Sequence, residues 1–346
     1  AANRRAPAAG GGSSRIRTDI ATDQSGPVRI LIVKTSSMGD VVHALPLAVD
    51  IAHALPAAQV DWLCEEAFAA IPAMSRHVSD VHRVALRRWR RRPFDPTVWR
   101  QMRIAKSGLR DTHYDLVLDV QGLAKSAWLA RWTGAPVTGF DSSTAREGIA
   151  AHFYQRRFEV PRNLHAIERC RRLGAAALGY AITGAPRFGI ALNVEPGSSN
   201  SEPMAVLLVN ASRASKLWPD ERWIAVERWL AHQGIASVLF CGSTEERSRS
   251  ELLAARMQRA EVSPPATLVT IASALATASI VIGLDTGLTH LAAALGRPTV
   301  GIFCDYDPAL VGLTGDADAG NAVISVGSAI AAPVASEVID AAARAM

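Results

Sequence analysis

The sequence predicts an α/β protein made of two doubly wound parallel-sheet domains that face one another across a cleft. Three observations predict it. Short uninterrupted apolar runs, Ile30-Leu31-Ile32-Val33 and Ala205-Val206-Leu207-Leu208-Val209, read as strands buried on both faces, and each is followed by a loop and a stretch of helical periodicity. This alternation occurs in two series, and strands that alternate with helices call for a parallel sheet. The 346 residues, 49% of them apolar, exceed the usual single-domain size and suffice for two cores.

Residues 1–27 are rich in Ala, Gly, Ser and Arg, lack periodicity and include Gly10-Gly11-Gly12-Ser13-Ser14, so a disordered tail is expected. The first domain is assigned to 28–185. After its opening strand, Thr35 to Asp40 forms a turn, and Val41, Val42, Leu45, Val49 and Ala52 recur at helical spacing as far as Leu55-Pro56. Val60, Trp62 and Cys64 alternate as a second strand, Leu116-Val117-Leu118 lies in another, and Leu123 to Trp132 reads as helix. An irregular stretch with Pro186, Pro196, Gly197, Ser198 and Ser199 marks a linker over 186–203. The second domain, 204–330, adds a helix from Asp220, a strand at Ser237 to Phe240, a helix from Thr244, a strand at Ile280 to Leu284, a helix from Gly287 and a strand over Pro298 to Phe303. Residues 331–346, with Val338, Ile339, Ala342 and Ala343, suit a last helix that crosses back onto the first domain.

The formal charge of +5 points to a partner rich in phosphate or carboxylate: nucleic acid, an anionic membrane surface or an acidic sugar. No apolar run approaches the roughly 18 residues that cross a bilayer, so membrane contact is expected to be peripheral. Four widely separated cysteines, Cys64, Cys170, Cys241 and Cys304, and an opening without signal-peptide character fit a reducing cytoplasm.

The segment Ile32-Val33-Lys34-Thr35-Ser36-Ser37-Met38-Gly39-Asp40 resembles the opening of the lipopolysaccharide heptosyltransferases of glycosyltransferase family 9, particularly those that add the first heptose. Further similarities follow in family order: Arg87-Arg88-Trp89-Arg90, Gln121-Gly122-Leu123 with Lys125-Ser126, Thr144-Ala145-Arg146-Glu147, His165-Ala166-Ile167-Glu168-Arg169, Trp218-Pro219 and Asp285-Thr286-Gly287-Leu288-Thr289-His290. They cover the chain from Arg29 to about residue 313. The resemblance implies the GT-B glycosyltransferase architecture of two Rossmann-like domains. It further implies ADP-L-glycero-β-D-manno-heptose as donor, Kdo on lipid A as acceptor, no required cofactor, and work at the cytoplasmic face of the inner membrane.

The motifs also carry chemistry of their own. Asp40 ends a glycine-containing turn at the mouth of the first strand, where an ionised carboxylate can take a proton from a bound hydroxyl or can cap the following helix. The resemblance implies the catalytic base. Asp285-Thr286-Gly287 opens a helix after a strand, so the N–H groups of Gly287 and Leu288 offer a diphosphate site, unless the turn is merely a connection. The resemblance extends donor binding over Asp285, Thr286, Gly287, Leu288 and His290, the last of which otherwise reads as a core histidine.

Lys216, on the loop after the first strand of the second domain, is either a solvated lysine or a charge placed for departing ADP. The resemblance implies the latter and adds Ser212 and Arg213, although Asn210 stands where relatives often carry histidine. Glu246 completes a capping box beginning at Ser243, and the resemblance also gives it contact with the nucleoside. Arg87, Arg88, Arg90, Arg91 and Arg92 surround Trp89, which suits a solvated face, carboxylate and phosphate groups on an acceptor, or nucleic acid. No nucleic-acid-binding pattern accompanies them, and none is expected as partner. Lys125, Arg146 and Arg169 match other basic positions of the acceptor site. Asp305-Tyr306-Asp307 looks like a metal-binding D-x-D but is read as a loop, with no metal.

The expected reaction is a single inverting displacement in which Asp40 takes the proton of the Kdo 5-hydroxyl and Lys216 with the Gly287 amides stabilises leaving ADP. The rivals are transfer to a heptose acceptor, nucleotide-sugar epimerisation, and noncatalytic anion binding.

Overall fold

The computed structural model describes residues 27–192 and 202–346. The expected disordered tail, apart from its last residue, and the core of the expected linker lie outside the described residues. Two parallel sheets of six strands organise the rest. The first contains β1 (Arg29–Val33), β2 (Gln59–Glu65), β3 (Asp80–Val84), β4 (Leu116–Asp119), β5 (Val137–Phe140) and β6 (Arg156–Phe158), in the spatial order β3-β2-β1-β4-β5-β6. The second contains β7 (Met204–Leu208), β8 (Ala236–Leu239), β9 (Ala260–Val262), β10 (Ile280–Leu284), β11 (Thr299–Phe303) and β12 (Val323–Gly327). Their order β12-β11-β10-β7-β8-β9 is that of the first sheet read from its other edge. In both sheets the winding reverses at the first strand, between β1 and β4 and between β7 and β10. Open α/β sheets bind ligands at such reversals, beyond the carboxyl ends of the strands.

The strands legible as apolar runs are central, and those without such runs lie mostly at the edges. β3, β6 and β9 read DVHRV, RRF and AEV, and their charged residues suit edges that must not pair with other chains. The alternation in β2 is misleading as a sign of one wet face, because Asp61 and Glu65 are buried too. Asp61 accepts a hydrogen bond from the Tyr114 hydroxyl at 2.8 Å, and Glu65 accepts from the N–H groups of Leu86 and Arg87, at 3.1 Å each. Buried polar groups are tolerated when so paired.

The last helix, Ala335–Ala345, corrects an expectation. Instead of crossing back, it buries Val338, Ala341 and Ala342 against the helix Asp220–His232 and strands β10, β11 and β12 of the second domain. Four alanines give it a narrow apolar face that fits closely there. The halves are joined elsewhere. The helix Met38–Ala54 after β1 packs against the helix Gly287–Ala294 after β10, and one apolar cluster runs through this contact from Ile30 and Leu45 to Leu291 and Val206. His165 Nε2 bonds to the Gly312 carbonyl at 3.0 Å, and the Phe188 N–H donates to Asp316 at 2.7 Å.

Gly287 lets the two helix starts meet, since a Cβ there would collide with Met38. Overpacking of this kind costs about 1–3 kcal/mol. Gly287→Val should therefore lower the thermal midpoint by several degrees, and adding Met38→Ala should recover part of the loss, as read by differential scanning calorimetry.

Candidate active site

The carboxyl ends of both sheets open onto one cavity of about 680 Å³, lined from the first half by Met38, Asp40, His43, Phe68, Arg87 and Arg146 among others. From the second half, every residue expected to bind the donor reaches it: Ser212, Arg213, Lys216, Glu246, Asp285, Thr286, Gly287, Leu288 and His290. This size suits a ligand of nucleotide-sugar dimensions.

Asp40 does take part in capping the helix, as weighed from sequence, though as the third residue of a capping box and not as the N-cap itself. The helix begins at Met38, Ser37 is its cap residue, and Asp40 sits in the first turn, where its Oδ2 accepts from the Ser37 N–H and hydroxyl, both at 3.0 Å. Lys34 Nζ stands 3.8 Å from Oδ1 and Arg146 3.5 Å from Oδ2. Burial works to raise the carboxyl pKa, but Lys34, the Ser37 N–H and Arg146 together outweigh it and hold Asp40 below its ordinary value. A quarter of the side chain remains exposed to the cavity, so the carboxylate is both ionised and reachable.

The loop after β4 fixes this turn. Gln121 Oε1 accepts from the Thr35 N–H at 2.6 Å, the Thr35 hydroxyl at 3.0 Å and the Ser36 N–H at 3.2 Å, while its amide nitrogen donates to the Ser36 carbonyl. Beneath it, fully buried Asp119 accepts from Gln121 N, Gly122 N, Ser126 Oγ and Tyr154 OH, at 2.8–3.2 Å. Gly122 adopts φ of +69°, and a Cβ there would lie 3.2 Å from the Arg146 nitrogen. The Gln121-Gly122 motif thus supports both the turn that carries Asp40 and the segment that carries Arg146.

On the second half, Lys216 Nζ is paired with Asp285, donating to its Oδ2 and, at 3.0 Å, to its carbonyl. Asp285 Oδ1 meets His290 Nε2 at 3.1 Å, and His290 Nδ1 meets His43 Nε2 across the domain boundary, also at 3.1 Å. An anionic Asp285 fixes the proton on His290 Nε2, which leaves Nδ1 as acceptor for a His43 Nε2–H. Asp285 is held ionised: burial opposes the charge, and the bonds from His290 and Lys216 overcome it. Burial, with His290 and His165 adjoining, pushes the His43 pKa well down, so His43 is neutral. His43 went unrecognised in sequence because it looks like any polar residue on a helix otherwise buried.

The remaining expectations divide. Glu246 does take part in a cap: its N–H donates to Ser243 Oγ at 3.2 Å, and its Oε2 accepts from the Gly242 N–H at 2.7 Å. Arg213 lies 3.7 Å from Asp305, which also accepts from Ser215 Oγ at 2.6 Å, while Asp307 caps a short helix at Pro308–Val311. Asp305 is thus engaged through Oδ2, while its buried Oδ1 has no hydrogen-bond partner among the described residues, and Asp307 is engaged through Oδ1.

Arg87 lines the cavity and lies over the Phe68 ring at 5.2 Å. Arg88 pairs with Glu66 at 3.2 Å, Arg90 points to solvent, and Lys125 is exposed on its own helix; none of the three lines the cavity. Arg169 also stays outside: it stacks over Phe140 at 4.6 Å and donates to the Thr144 carbonyl at 2.6 Å, so it braces the segment that carries Arg146. Trp218 is buried, its indole bonded to the Pro333 carbonyl at 2.8 Å, and is structural. Beside Met38 of the opening motif, Phe68, Phe240, Ala266, Leu268 and Ile271 form an apolar part of the cavity, and these five carried no sequence signal beyond ordinary core.

Because Arg146 is largely exposed, its replacement should spare the fold. In Arg146→Gln the Asp40 carboxyl, followed by carbon-13 NMR, should titrate at a higher pH than in the native protein. The sign follows from losing a cation that favours the charged form.

The family model for glycosyltransferase family 9 (heptosyltransferase) matches residues 102–329. Lipopolysaccharide heptosyltransferase 1 of Pseudomonas aeruginosa is 41% identical over 295 residues, 83% of this chain and 82% of that protein. The structure of Escherichia coli heptosyltransferase WaaC with ADP superposes with a TM-score of 0.83 at 36% identity, covering 92% of this chain and all of that one. The same enzyme with ADP-2-deoxy-2-fluoro heptose gives 0.75 at 37% identity, covering 82% and 95%. The fold and the sequence therefore both have heptosyltransferase relatives, and the chain belongs to glycosyltransferase family 9, the heptosyltransferases.

Proposed function

We propose that this enzyme transfers L-glycero-D-manno-heptose from ADP-heptose to the 5-hydroxyl of Kdo on lipid A, with inversion at the anomeric carbon. One observation carries the reading: the ionised, accessible carboxylate of Asp40 shares a single cavity with the helix start at Gly287 and with Lys216. These are the two poles that a displacement of a diphosphate leaving group needs.

The donor's diphosphate lies at the N–H groups of Gly287 and Leu288, where the helix end favours negative charge. Lys216 keeps an N–H proton beyond those used on Asp285 and directs it to a phosphoryl oxygen. The adenine fits the apolar wall of Ala266, Leu268 and Ile271, and Glu246 offers its second carboxylate oxygen to a ribose hydroxyl. Arg87 and Arg146 meet the acceptor's carboxylate and phosphate groups. The acceptor oxygen attacks the anomeric carbon, its proton passes to Asp40, and the bond to ADP breaks on the opposite face. No step calls for a metal ion, since protein cations and amides offset the phosphate charge. Asp40 is a weak base because its pKa is depressed, so its contribution lies in position and in being charged at every physiological pH. The lipid-borne acceptor places the enzyme against the cytoplasmic face of the inner membrane, and no helix among the described residues is long and apolar enough to cross it.

The test is ADP release from ADP-heptose with and without purified Kdo-lipid A. Release that depends on the acceptor, with the new glycosidic linkage inverted by NMR, is expected. Release of equal rate without acceptor, or with a heptosylated acceptor only, would overturn the assignment.

A further inference from the structure

Apart from Arg87, the segment from the arginine turn to the end of the next helix has chemistry that the cavity does not use. Residues 87–111 hold nine Lys or Arg against two Asp, a local net charge of +7 in a chain whose total is +5. The rest of the chain is therefore slightly acidic, and the positive charge is concentrated here. The same segment exposes large apolar side chains: Phe94 is 93% exposed, Trp99 58% and Ile104 65%. Single exposed apolar residues are ordinary, but an exposed Phe, Trp and Ile within eleven positions, interleaved with cations, are not.

The helix Pro96–Asp111 explains the arrangement. Val98 and Leu109 are buried and hold it to the first domain, with Met102 and Ala105 half-buried beside them. At 100° per residue Arg100, Arg103 and Arg110 lie on the outward face between Trp99 and Ile104, and Lys106 is exposed just beyond Trp99. Asp95 caps the helix, accepting from the Thr97 N–H at 2.8 Å, which leaves Phe94 projecting from the turn before it. Gln101 ties this helix to the arginine turn through Trp89 Nε1 at 3.1 Å and Arg88 at 3.3 Å. That turn is in turn capped by Glu65, and its first arginine, Arg87, lines the cavity. The exposed face and the cavity mouth are thus linked through hydrogen bonds within the first domain.

We infer that Phe94, Trp99 and Ile104, with Arg100, Arg103, Lys106 and Arg110, form a docking face for an anionic phospholipid bilayer. The cations meet the headgroup phosphates while the two aromatic rings and the isoleucine enter the interfacial layer, where Trp in particular is favoured. Nucleic acid would satisfy the cations but would leave Ile104 without a partner. The face rests on the proposed function only for its purpose, which is to hold the cavity mouth at the surface where a lipid-borne acceptor lies.

The experiment is flotation of the full chain with vesicles of phosphatidylglycerol and phosphatidylethanolamine, and with phosphatidylcholine alone, in about 0.15 M salt and without donor or acceptor. Binding to the anionic vesicles only is expected. The combined variant Phe94→Ser, Trp99→Ser, Ile104→Ser should weaken it at least tenfold, and Arg103→Glu with Lys106→Glu should do the same. Both variants should retain ADP release on a soluble, deacylated Kdo acceptor, which separates this inference from the function itself. No binding to anionic vesicles would overturn the inference. So would binding that survives the loss of the apolar residues and falls only on charge reversal, which would indicate a site for polyanions in general.

Discussion

The contact between the starts of two helices, Met38–Ala54 and Gly287–Ala294, is the constraint on which the rest depends. Each helix follows a strand at the point where its sheet reverses its winding, so each start is where a ligand would bind. Gly287 admits Met38, and His43 bonds to His290. The Asp40 carboxylate from one half and the helix start at Gly287 from the other are thereby held in a single cavity. Neither half contains both.

Charge pairing then sets the chemical state of the site. Asp40 and Asp285 are each partly buried, which would by itself favour the neutral acid. Each is surrounded by donors that reverse this: Lys34, Ser37 and Arg146 about the first, His290 and Lys216 about the second. Asp285 keeps Lys216 from straying into solvent and orients His290, and a phosphoryl group would share the lysine with it. The two carboxylates therefore differ in their surroundings although their pKa values move in the same direction. Asp40 faces the cavity with room for a hydroxyl, while Asp285 is occupied on both oxygens.

Much of this was legible before any coordinates. The central strands β1, β4, β7 and β10 announce themselves as apolar runs, and the loops that follow them carry the site. The whole donor set expected from sequence reaches the cavity. What escaped notice did so for physical reasons. Edge strands such as β6 and β9 are too short and too polar to show periodicity. The last helix has an apolar face that says only that it packs, not on which sheet. Arg169 and Arg88 look the same in sequence as Arg146 and Arg87, yet the first pair is spent on Thr144 and Glu66 and the second faces the cavity. His43 becomes visible only when the second half brings His290 to it.

The central claim is that Asp40 acts in turnover and not in holding the donor. Asp40→Asn keeps the shape and the bond from Ser37 but cannot take a proton. Loss of a general base costs about 10²–10⁴ in rate. Calorimetric binding of ADP-heptose to this variant, set beside its acceptor-dependent kcat, should show a Kd within a few-fold of native and a kcat reduced by at least a hundredfold. A kcat close to native, or a collapse of donor binding that accounts for the lost rate, would contradict it.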